Sequence, residues 1–530
     1  MTGPAAHAFR LWNTARHLRP IQVVGRLRFK LARPRPDLRA APPVRLVGAR
    51  VPRPAARAAS LVSPSRLRLL RVEHDIDAVG WDDHAIAKLW RYNLHYFDDL
   101  CSDGAEGRVS WHRSLIDRWI AENPAGRGTG WEPYPTSLRI VNWVKWTWLG
   151  NPLGPAAVQS LAVQARWLSK RLEWHLLGNH LFANAKALVF AGSFFEGQEA
   201  DRWFRVGASI LRREIPEQIL PDGGQFERSP MYHALALEDM LDLCGAATVR
   251  DLGELGETVR SRIGPMRLWL GAMCHPDGEI GFFNDAAIGV HPSPSELNAY
   301  ALRLGFGAVP PPADGVTNLM PSGYVRLQVP GAVVLFDVGE VGPAYLPGHA
   351  HADTLSFELS VGGRRIAVNS GTSEYGIGAE RSRQRGTMAH NTVSLGGMDS
   401  SEVWGGFRVA RRARPFGAAS GTGPAQVLFA RCGHDGFRRT GVGSDHVREL
   451  RLGLRSLEII DDISGAAGAV AAIHWAPGME PPAGPVRITA VGGRIADSPS
   501  TWHPGFGDVR ANRRTLIYAD VPRLVTRLEW

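Results

Sequence analysis

The sequence predicts an α+β protein of more than one domain, in which a helical N-terminal region precedes an antiparallel β-sandwich. The chain has 530 residues, and single hydrophobic cores tend to split beyond about 250–300 residues. Apolar residues recur at helical spacing in the first part of the chain, and short alternating runs separated by Gly, Pro and Asp follow. We therefore expect helices first and sheets second.

The N-terminal 75 residues are rich in Arg and Pro and nearly free of acidic residues. They predict either a basic arm or a poorly ordered lead-in to the first domain. Over the whole chain, Lys and Arg outnumber Asp and Glu by 61 to 51, for a net charge of +10. Such a balance favours an acidic partner: nucleic acid, anionic lipid or an acidic polymer.

Four helices are predicted from apolar residues at helical spacing, over 160–177, 180–195, 229–247 and 294–306. Gly178 is expected to end the first of them, and Asn179 can cap the second. Ser229 is a plausible cap for the third, with Pro230 in its first turn. Tryptophans cluster in this region, and for most of them we favour core packing over sugar binding.

Short strands begin near residue 321, where the apolar period changes from helical to alternating. They are predicted over 323–329, 332–339, 354–361, 364–371, 390–397, 426–433, 447–454, 457–465, 471–478, 485–493 and 515–521. Many short strands with Gly- and Pro-containing turns between them are typical of an antiparallel sandwich.

One strand opens with unusual chemistry, in the stretch "PGHAHADTLSFELSV". His349, His351 and Asp353 lie at i, i+2 and i+4, so they would share one face if the strand extended through them. Two imidazoles and a carboxylate that converge on one spot suit a metal site or a proton-transfer site.

Four stretches carry candidate chemistry: "LLGNHLFANAKAL", "LPDGGQFERSPMYHALALEDM", "PGHAHADTLSFELSV" and "RGTMAHNTVSLGG". In this order they resemble the landmarks of the heparinase II/III-like polysaccharide lyases, and the likeness covers roughly residues 80–465. "GWEPYPTSLRIVNWVKW" and "HDGF" also resemble this family. Each motif alone is weak, but their ordered combination is specific for the superfamily, though not for a substrate.

The resemblance implies an N-terminal (α/α) toroid followed by a C-terminal antiparallel β-sandwich, with an active site in the cleft between them. We place a basic extension at 1–75, the toroid at 76–320 and the sandwich at 321–530. The implied reaction is β-elimination at a uronic acid within an acidic polysaccharide, which leaves an unsaturated sugar at the new non-reducing end.

The resemblance also implies residue roles. Asn179 and His180 match the groups that neutralise the uronate carboxylate, while Tyr232 and His349 match the base and the acid. Which of the two is the base stays open without a substrate, and Tyr232 could serve both roles. The candidate contacts to substrate are Arg139, Asn142, Glu227 and Arg438.

A divalent metal, often zinc, is implied by His351 and His390, which match metal ligands in several relatives. The third ligand in those relatives is an aspartate, and Asn369 stands at that position here. An amide is a weaker zinc ligand than a carboxylate. Asp353 could take its place, or hydrogen bonds alone could hold the site.

Two other functions stay open. A metal-dependent hydrolase could use the H-x-H-x-D pattern, but the metallo-β-lactamase version has a histidine where Thr354 stands, and its fold alternates strands with helices. The second alternative is a non-catalytic glycan-binding protein on the same scaffold. Nucleic-acid binding depends only on net charge and is the weakest case.

The location of the protein stays open as well. No apolar run is long enough to span a bilayer, and the N-terminus lacks the apolar core of a secretory signal. The sequence therefore predicts a cytoplasmic protein, whereas the resemblance implies the periplasm or cell envelope. A lyase without export would fit capsule or exopolysaccharide metabolism. The polymer and the oligomeric state are not predicted.

Overall fold

Helices dominate the first part of the chain and antiparallel strands the second, as predicted. The structure, a computed structural model, describes residues 4–48, 51–440, 444–464 and 468–530. The last residue of the predicted strand 457–465 lies outside this range, as do residues 1–3 and 49–50 of the predicted extension. In the described residues the helices are α1 (Pro4–Ala15), α2 (Pro20–Leu31), α3 (Ile76–Val79), α4 (Lys88–Leu94), α5 (Val109–Glu122), α6 (Pro133–Trp148), α7 (Pro155–Lys170), α8 (Gly178–Phe194), α9 (Gln198–Gln218), α10 (Pro230–Ala246), α11 (Glu254–Ala272), α12 (Pro294–Arg303) and α13 (Ala379–Arg385).

The start of α10 is confirmed, because the Ser229 hydroxyl accepts a hydrogen bond from the backbone N–H of Tyr232. The end predicted for α7 is wrong, because α7 stops at Lys170 and Gly178 opens α8. The Asn184 side-chain amide accepts a hydrogen bond from the backbone N–H of Glu173 and donates one to the Glu173 carboxylate. These two bonds hold the chain in a turn at Glu173, although the helical spacing of apolar residues continues beyond it. Asn179 therefore lies in the first turn of α8 and is not its cap.

The helices α8 and α10 are buried on almost every side, which is typical of helices inside a core. The helices α6, α8, α10 and α12 contact one another in succession, and α7, α9 and α11 contact α8 or α10. The start of α8 lies beside Glu227, in the segment just before α10, where a Cβ added at Gly178 would be 3.5 Å from Oε1 of Glu227. The toroidal winding implied by the resemblance stays a prediction.

Part of the predicted N-terminal extension belongs to the helical core. Val51, Leu61 and Leu67 are buried in the same apolar cluster as the helices. The helices α1 and α2 instead lie on the surface, with most of their residues exposed. The boundary placed at residue 76 stays a prediction.

The strands of the described residues are β1 (Arg66–Leu69), β2 (Val72–Asp75), β3 (Gly315–Leu319), β4 (Tyr324–Val329), β5 (Ala332–Asp337), β6 (Phe357–Val361), β7 (Arg364–Ala367), β8 (Val393–Leu395), β9 (Val403–Trp404), β10 (Arg408–Val409), β11 (Pro415–Thr422), β12 (Leu428–Phe437), β13 (Ser444–Leu452), β14 (Ser456–Ile463), β15 (Ala469–His474), β16 (Arg487–Val491), β17 (Gly493–Trp502), β18 (Arg510–Ala519) and β19 (Arg523–Glu529). Three larger antiparallel sheets result, with strand orders β3-β4-β5-β6-β7, β11-β12-β13-β14-β19-β16 and β17-β18-β15-β8. Side chains from all three share one apolar core.

The strand β6 joins this core to the helical region. Phe357 and Leu359 point into the core, as the predicted alternation requires. On the opposite face, the Glu358 carboxylate lies 2.8 Å from Nε2 of His275 and accepts the backbone N–H of Phe282. The segment between α11 and α12 is therefore held against the sheet, close to the loop between β5 and β6.

Candidate active site

The loop between β5 and β6 brings His349 onto the first turn of α10. The ring of His349 lies over the ring of Tyr232, with 3.9 Å between their centroids. Tyr232 is buried, and the His349 side chain is only 13% exposed. A phenol from the helical region and an imidazole from the sheet region thus meet in one half-enclosed place.

The predicted strand face of His349, His351 and Asp353 is wrong, because β6 begins only at Phe357. Leu355 has a φ of 64°, in the left-handed region, which breaks the extended backbone before the strand. The loop still gathers the two imidazoles, because both reach the same carboxylate.

That carboxylate is Asp285, in the segment after α11. Its Oδ2 lies 2.9 Å from Nδ1 of His349, and its Oδ1 lies 2.9 Å from Nε2 of His351. The Arg381 guanidinium donates to both oxygens, at 2.7 Å from Nη2 to Oδ2. Burial alone would raise the pKa of Asp285, but Arg381 and the two imidazoles hold that pKa well below its usual range.

The ionised Asp285 sets the tautomer of His349. A carboxylate can only accept a hydrogen bond, so Nδ1 of His349 carries a proton and Nε2 is the nitrogen with a lone pair to offer in this tautomer. This Nε2 lies 3.8 Å from Oε2 of Glu227. His349 can therefore accept a proton on the side that faces Glu227.

The Tyr232 hydroxyl is hydrogen-bonded to the Tyr375 hydroxyl, at 3.0 Å between the oxygens. Burial, followed by Tyr375 and Asp285, raises the pKa of Tyr232 well above its usual value. Tyr232 is therefore a neutral phenol that can donate a proton.

Glu227 is almost fully buried beside these groups. Its Oε1 accepts a hydrogen bond from the Gln225 amide at 3.2 Å, and its Oε2 has no hydrogen-bond partner among the described residues. Burial raises the pKa of Glu227. A buried carboxyl with a free oxygen needs a ligand or a proton to satisfy it.

The first turn of α8 adjoins Glu227. A Cβ atom added at Gly178 would lie 3.5 Å from Oε1 of Glu227. His180 Nδ1 lies 3.1 Å from Glu173; burial alone would lower the pKa of His180, but Glu173 and Glu227 outweigh it and raise that pKa. Asn179 is half-buried, and its side chain makes no hydrogen bond within the part of the chain that the structure describes.

A second cluster lies behind His349. Metal-ligating atoms of His351, Asp353 and His390 lie within 4.8 Å of one another, with 3.3 Å between Nδ1 of His351 and Nε2 of His390. Burial lowers the pKa of His351 to about 4 and that of His390 to about 3, so both rings are neutral at pH 7.

Asn369 does not act as the third metal ligand of this cluster. Its Oδ1 accepts the backbone N–H of Asn391, and its Nδ2 donates to the Ser356 hydroxyl. Both ends of the amide are thus used to hold neighbouring segments together. Asp353, the alternative considered from the sequence, completes the cluster.

Three of the expected substrate contacts have structural partners instead. Arg139 is fully buried, donates to Gln164 and to the His95 carbonyl, and lies over the Trp119 ring. The Asn142 amide donates to the Tyr96 carbonyl and to Asp98. Arg438 is exposed and pairs with Asp445. Among the described residues, no hydrogen bond or ion pair joins these three to Tyr232, His349 or Glu227.

The sequence reasoning missed Asp285, Arg381 and Tyr375. Asp285 follows Asn284 at the end of the apolar run "GFF", and this polar pair directly after apolar residues is the available signal. Asn284 also supports the cluster, because its backbone N–H donates to Asp353 and its side chain accepts the backbone N–H of His351.

Comparisons with known proteins agree with this architecture. The heparinase II/III N-terminus family matches residues 156–300, and the heparinase II/III-like C-terminal family matches residues 312–519. Together they cover about two thirds of the chain.

Two curated relatives are heparin-sulfate lyases. The protein from Bacteroides stercoris is 28% identical over 378 residues, which is 61% of this chain and 56% of the relative. The one from Pedobacter heparinus is 29% identical over 242 residues, 41% of this chain and 36% of the relative. The match thus spans between about a third and about half of these relatives.

Solved structures share the fold. The crystal structure of heparinase III has a TM-score of 0.66 at 20% identity, covering 85% of this chain and 79% of that one. Heparan sulfate lyase HepC from Pedobacter heparinus, solved as a mutant, has a TM-score of 0.58 at 18% identity, covering 96% and 87%. Within the described residues, no helix has the length and apolar character needed to cross a membrane.

Proposed function

This chain belongs to the heparinase II/III-like family, and on that basis we propose that it is a polysaccharide lyase that cleaves a uronic-acid-containing polysaccharide by β-elimination. The observation that carries the proposal is the contact between Tyr232 and His349, two proton-transfer groups that the fold brings together from different regions. The names of the curated relatives support the substrate class.

The chemistry begins at the uronate carboxylate. The C5 proton is weakly acidic because this neighbouring carboxylate is already negative, so the site must stabilise the charge that spreads into it. Glu227, whose raised pKa favours the protonated acid, donates a hydrogen bond to the carboxylate from its free Oε2. Asn179 and His180, in the adjoining turn of α8, supply further donors.

Proton removal and proton delivery then fall to His349 and Tyr232. His349 accepts the C5 proton at Nε2, and Asp285 stabilises the imidazolium through Nδ1. Tyr232, held as a neutral phenol, protonates the departing O4 oxygen. The electron pair of the C5–H bond forms the C4–C5 double bond as the C4–O4 bond breaks, so neither water nor an oxidant is consumed.

A panel of acidic polysaccharides tests the proposal. The product carries a double bond conjugated with its carboxylate and absorbs in the ultraviolet, so rising absorbance with a polyuronate or glycosaminoglycan is the expected result. Release of saturated sugars with no rise in absorbance would identify a hydrolase and contradict the proposal.

Glu227 gives a pH-dependent prediction. Its protonated fraction falls as pH rises through its raised pKa, so activity should decline on the alkaline side. Glu227→Gln keeps a neutral hydrogen-bond donor and should retain activity within about tenfold with a weaker alkaline decline, whereas Glu227→Ala should lose about 10²-fold or more. Initial rates across pH check this. A Gln variant as inactive as the Ala variant would contradict a donor role.

We further propose that His351, His390 and Asp353 hold one divalent metal, with zinc as the best match. Nitrogens bound to one tetrahedral zinc lie about 3.3–3.4 Å apart, and 3.3 Å separates the two facing nitrogens here. Two neutral imidazoles and a carboxylate form a ligand set that zinc accepts. A bound zinc would act structurally, by cross-linking the His349 loop to the segment that carries His390.

The metal proposal is checked by elemental analysis and thermal unfolding. The purified chain should contain about one zinc per molecule, and chelation should lower Tm by several degrees because binding energy contributes to folding. His390→Gln should lose the metal, while the matched variant His84→Gln, at an exposed site, should keep it. A metal-free protein whose Tm is insensitive to chelator would contradict the proposal.

A further inference from the structure

We propose that the N-terminal helices α1 and α2 bind an anionic membrane surface. This inference is independent of the lyase proposal, because it concerns the outward sides of α1 and α2 and uses none of the active-site groups. Both helices pack on the protein through mostly polar or small residues and leave large apolar residues exposed.

The helix α1 is amphipathic with its apolar side outward. Its inner face carries Arg10, Asn13 and Thr14 at i, i+3 and i+4. Arg10 pairs with Glu402, and the Thr14 hydroxyl accepts the Trp404 indole N–H. The opposite side exposes Ala8, Phe9, Leu11, Trp12 and Ala15, and Trp12 is 64% exposed.

The helix α2 has the same arrangement. Gln22, Gly25 and Phe29 form its inner face: Gln22 donates to the Tyr345 carbonyl, a Cβ at Gly25 would lie 3.0 Å from the His175 backbone nitrogen, and Phe29 lies against the His175 ring. On the opposite side, Val24, Leu27 and Leu31 form a stripe at i, i+3 and i+7. Leu27 is 57% exposed and Leu31 is 78% exposed.

The charges around this stripe all have one sign. Arg26 and Lys30 lie on one flank of the stripe and Arg28 on the other, and all three are exposed. The first 36 residues contain eight Lys or Arg and no Asp or Glu. An apolar stripe between cationic flanks is the pattern of helices that lie in the plane of a membrane interface, where the cations meet anionic headgroups.

Exposing so many large apolar side chains to water is unfavourable unless the surface binds a partner. Large exposed apolar patches on soluble proteins mark interaction sites. Trp12 adds to the match, since tryptophan favours the boundary between headgroups and acyl chains. The uniform positive charge selects an anionic lipid surface over a neutral one.

Vesicle co-sedimentation of the full chain tests the proposal. We expect binding to vesicles of phosphatidylglycerol and phosphatidylethanolamine, weakened by salt, and little binding to phosphatidylcholine vesicles. The triple variant Val24→Ser, Leu27→Ser, Leu31→Ser should bind about tenfold more weakly or worse. Leu454→Ser, at a 68% exposed leucine on the β13–β14 turn, is the matched control and should bind normally.

A charge variant separates the two contributions. Arg26→Gln, Arg28→Gln, Lys30→Gln should remove the preference for phosphatidylglycerol. All of the substituted side chains are exposed, so we expect thermal unfolding to be unchanged. That result would show that any loss of binding is not caused by misfolding.

Three results would overturn the proposal. The first is the absence of binding to phosphatidylglycerol vesicles. The second is binding that the triple serine variant leaves unchanged, which would indicate simple attraction to any polyanion. The third is a dimer in light scattering that the triple serine variant dissociates, which would assign the face to a second copy of the chain.

Discussion

Replacing His349 with Ala is expected to lower the rate of unsaturated product formation by about 10²–10⁴-fold, and Tyr232→Phe by a similar factor. The Ala variant removes the Nε2 that accepts the C5 proton, and the Phe variant removes the hydroxyl that protonates O4. The measurement is initial ultraviolet absorbance with whichever acidic polysaccharide the panel selects.

Matched variants distinguish chemistry from damage to the fold. His84→Ala and Tyr518→Phe make the same substitutions away from the site and should keep full activity. Near-native Tm values for the two site variants would show that loss of rate is not unfolding. Full activity in both site variants would dismiss the assignment of base and acid.

Replacing Asp285 with Asn is expected to lower the free energy of unfolding by about 3–5 kcal/mol. The substitution keeps the shape of the side chain but leaves the Arg381 guanidinium buried without its counter-ion. Urea denaturation followed by circular dichroism measures the effect. The control Asp445→Asn breaks the exposed pair with Arg438 and should cost less than about 1 kcal/mol.

A second substitution tests the cause. Arg381→Met removes the unpaired charge, so the double variant with Asp285→Asn should be less destabilised than the sum of the two single variants. Equal costs for Asp285→Asn and Asp445→Asn would refute the idea that a buried ion pair organises the site.

The order of the elements could be predicted because it depends on local patterns. Periods of 3.6 and 2 separate the helical region from the sheet region, and the Ser229 cap marks the start of α10 correctly. The end of α7 was predicted wrongly because Asn184, on the next helix, holds a turn at Glu173. The helical spacing of apolar residues alone predicts that the helix continues, and this tertiary contact overrides that local preference.

The candidate site was predicted in part. The pairing of Tyr232 with His349 and the position of Glu227 beside them agree with the motifs. Arg139 was misplaced because its residue type suggests an acidic ligand, while its position on α6 points it into the core beside Trp119.

Asp285 could not be found in this way. It lies 64 residues from His349 in the chain, in a segment without regular secondary structure, and only tertiary packing brings the two together. Neither periodicity nor spacing along the sequence reports such a contact, and a resemblance carries only the residues within its motifs.

The two oxygens of Asp285 have a consequence for how this protein can evolve. One oxygen orients His349 and the other orients His351, so a single anion is shared by both rings. A substitution that improves either task at position 285 therefore alters the other at the same time. Adaptation to a new polymer is therefore expected to leave this position unchanged and to proceed through other residues around the site.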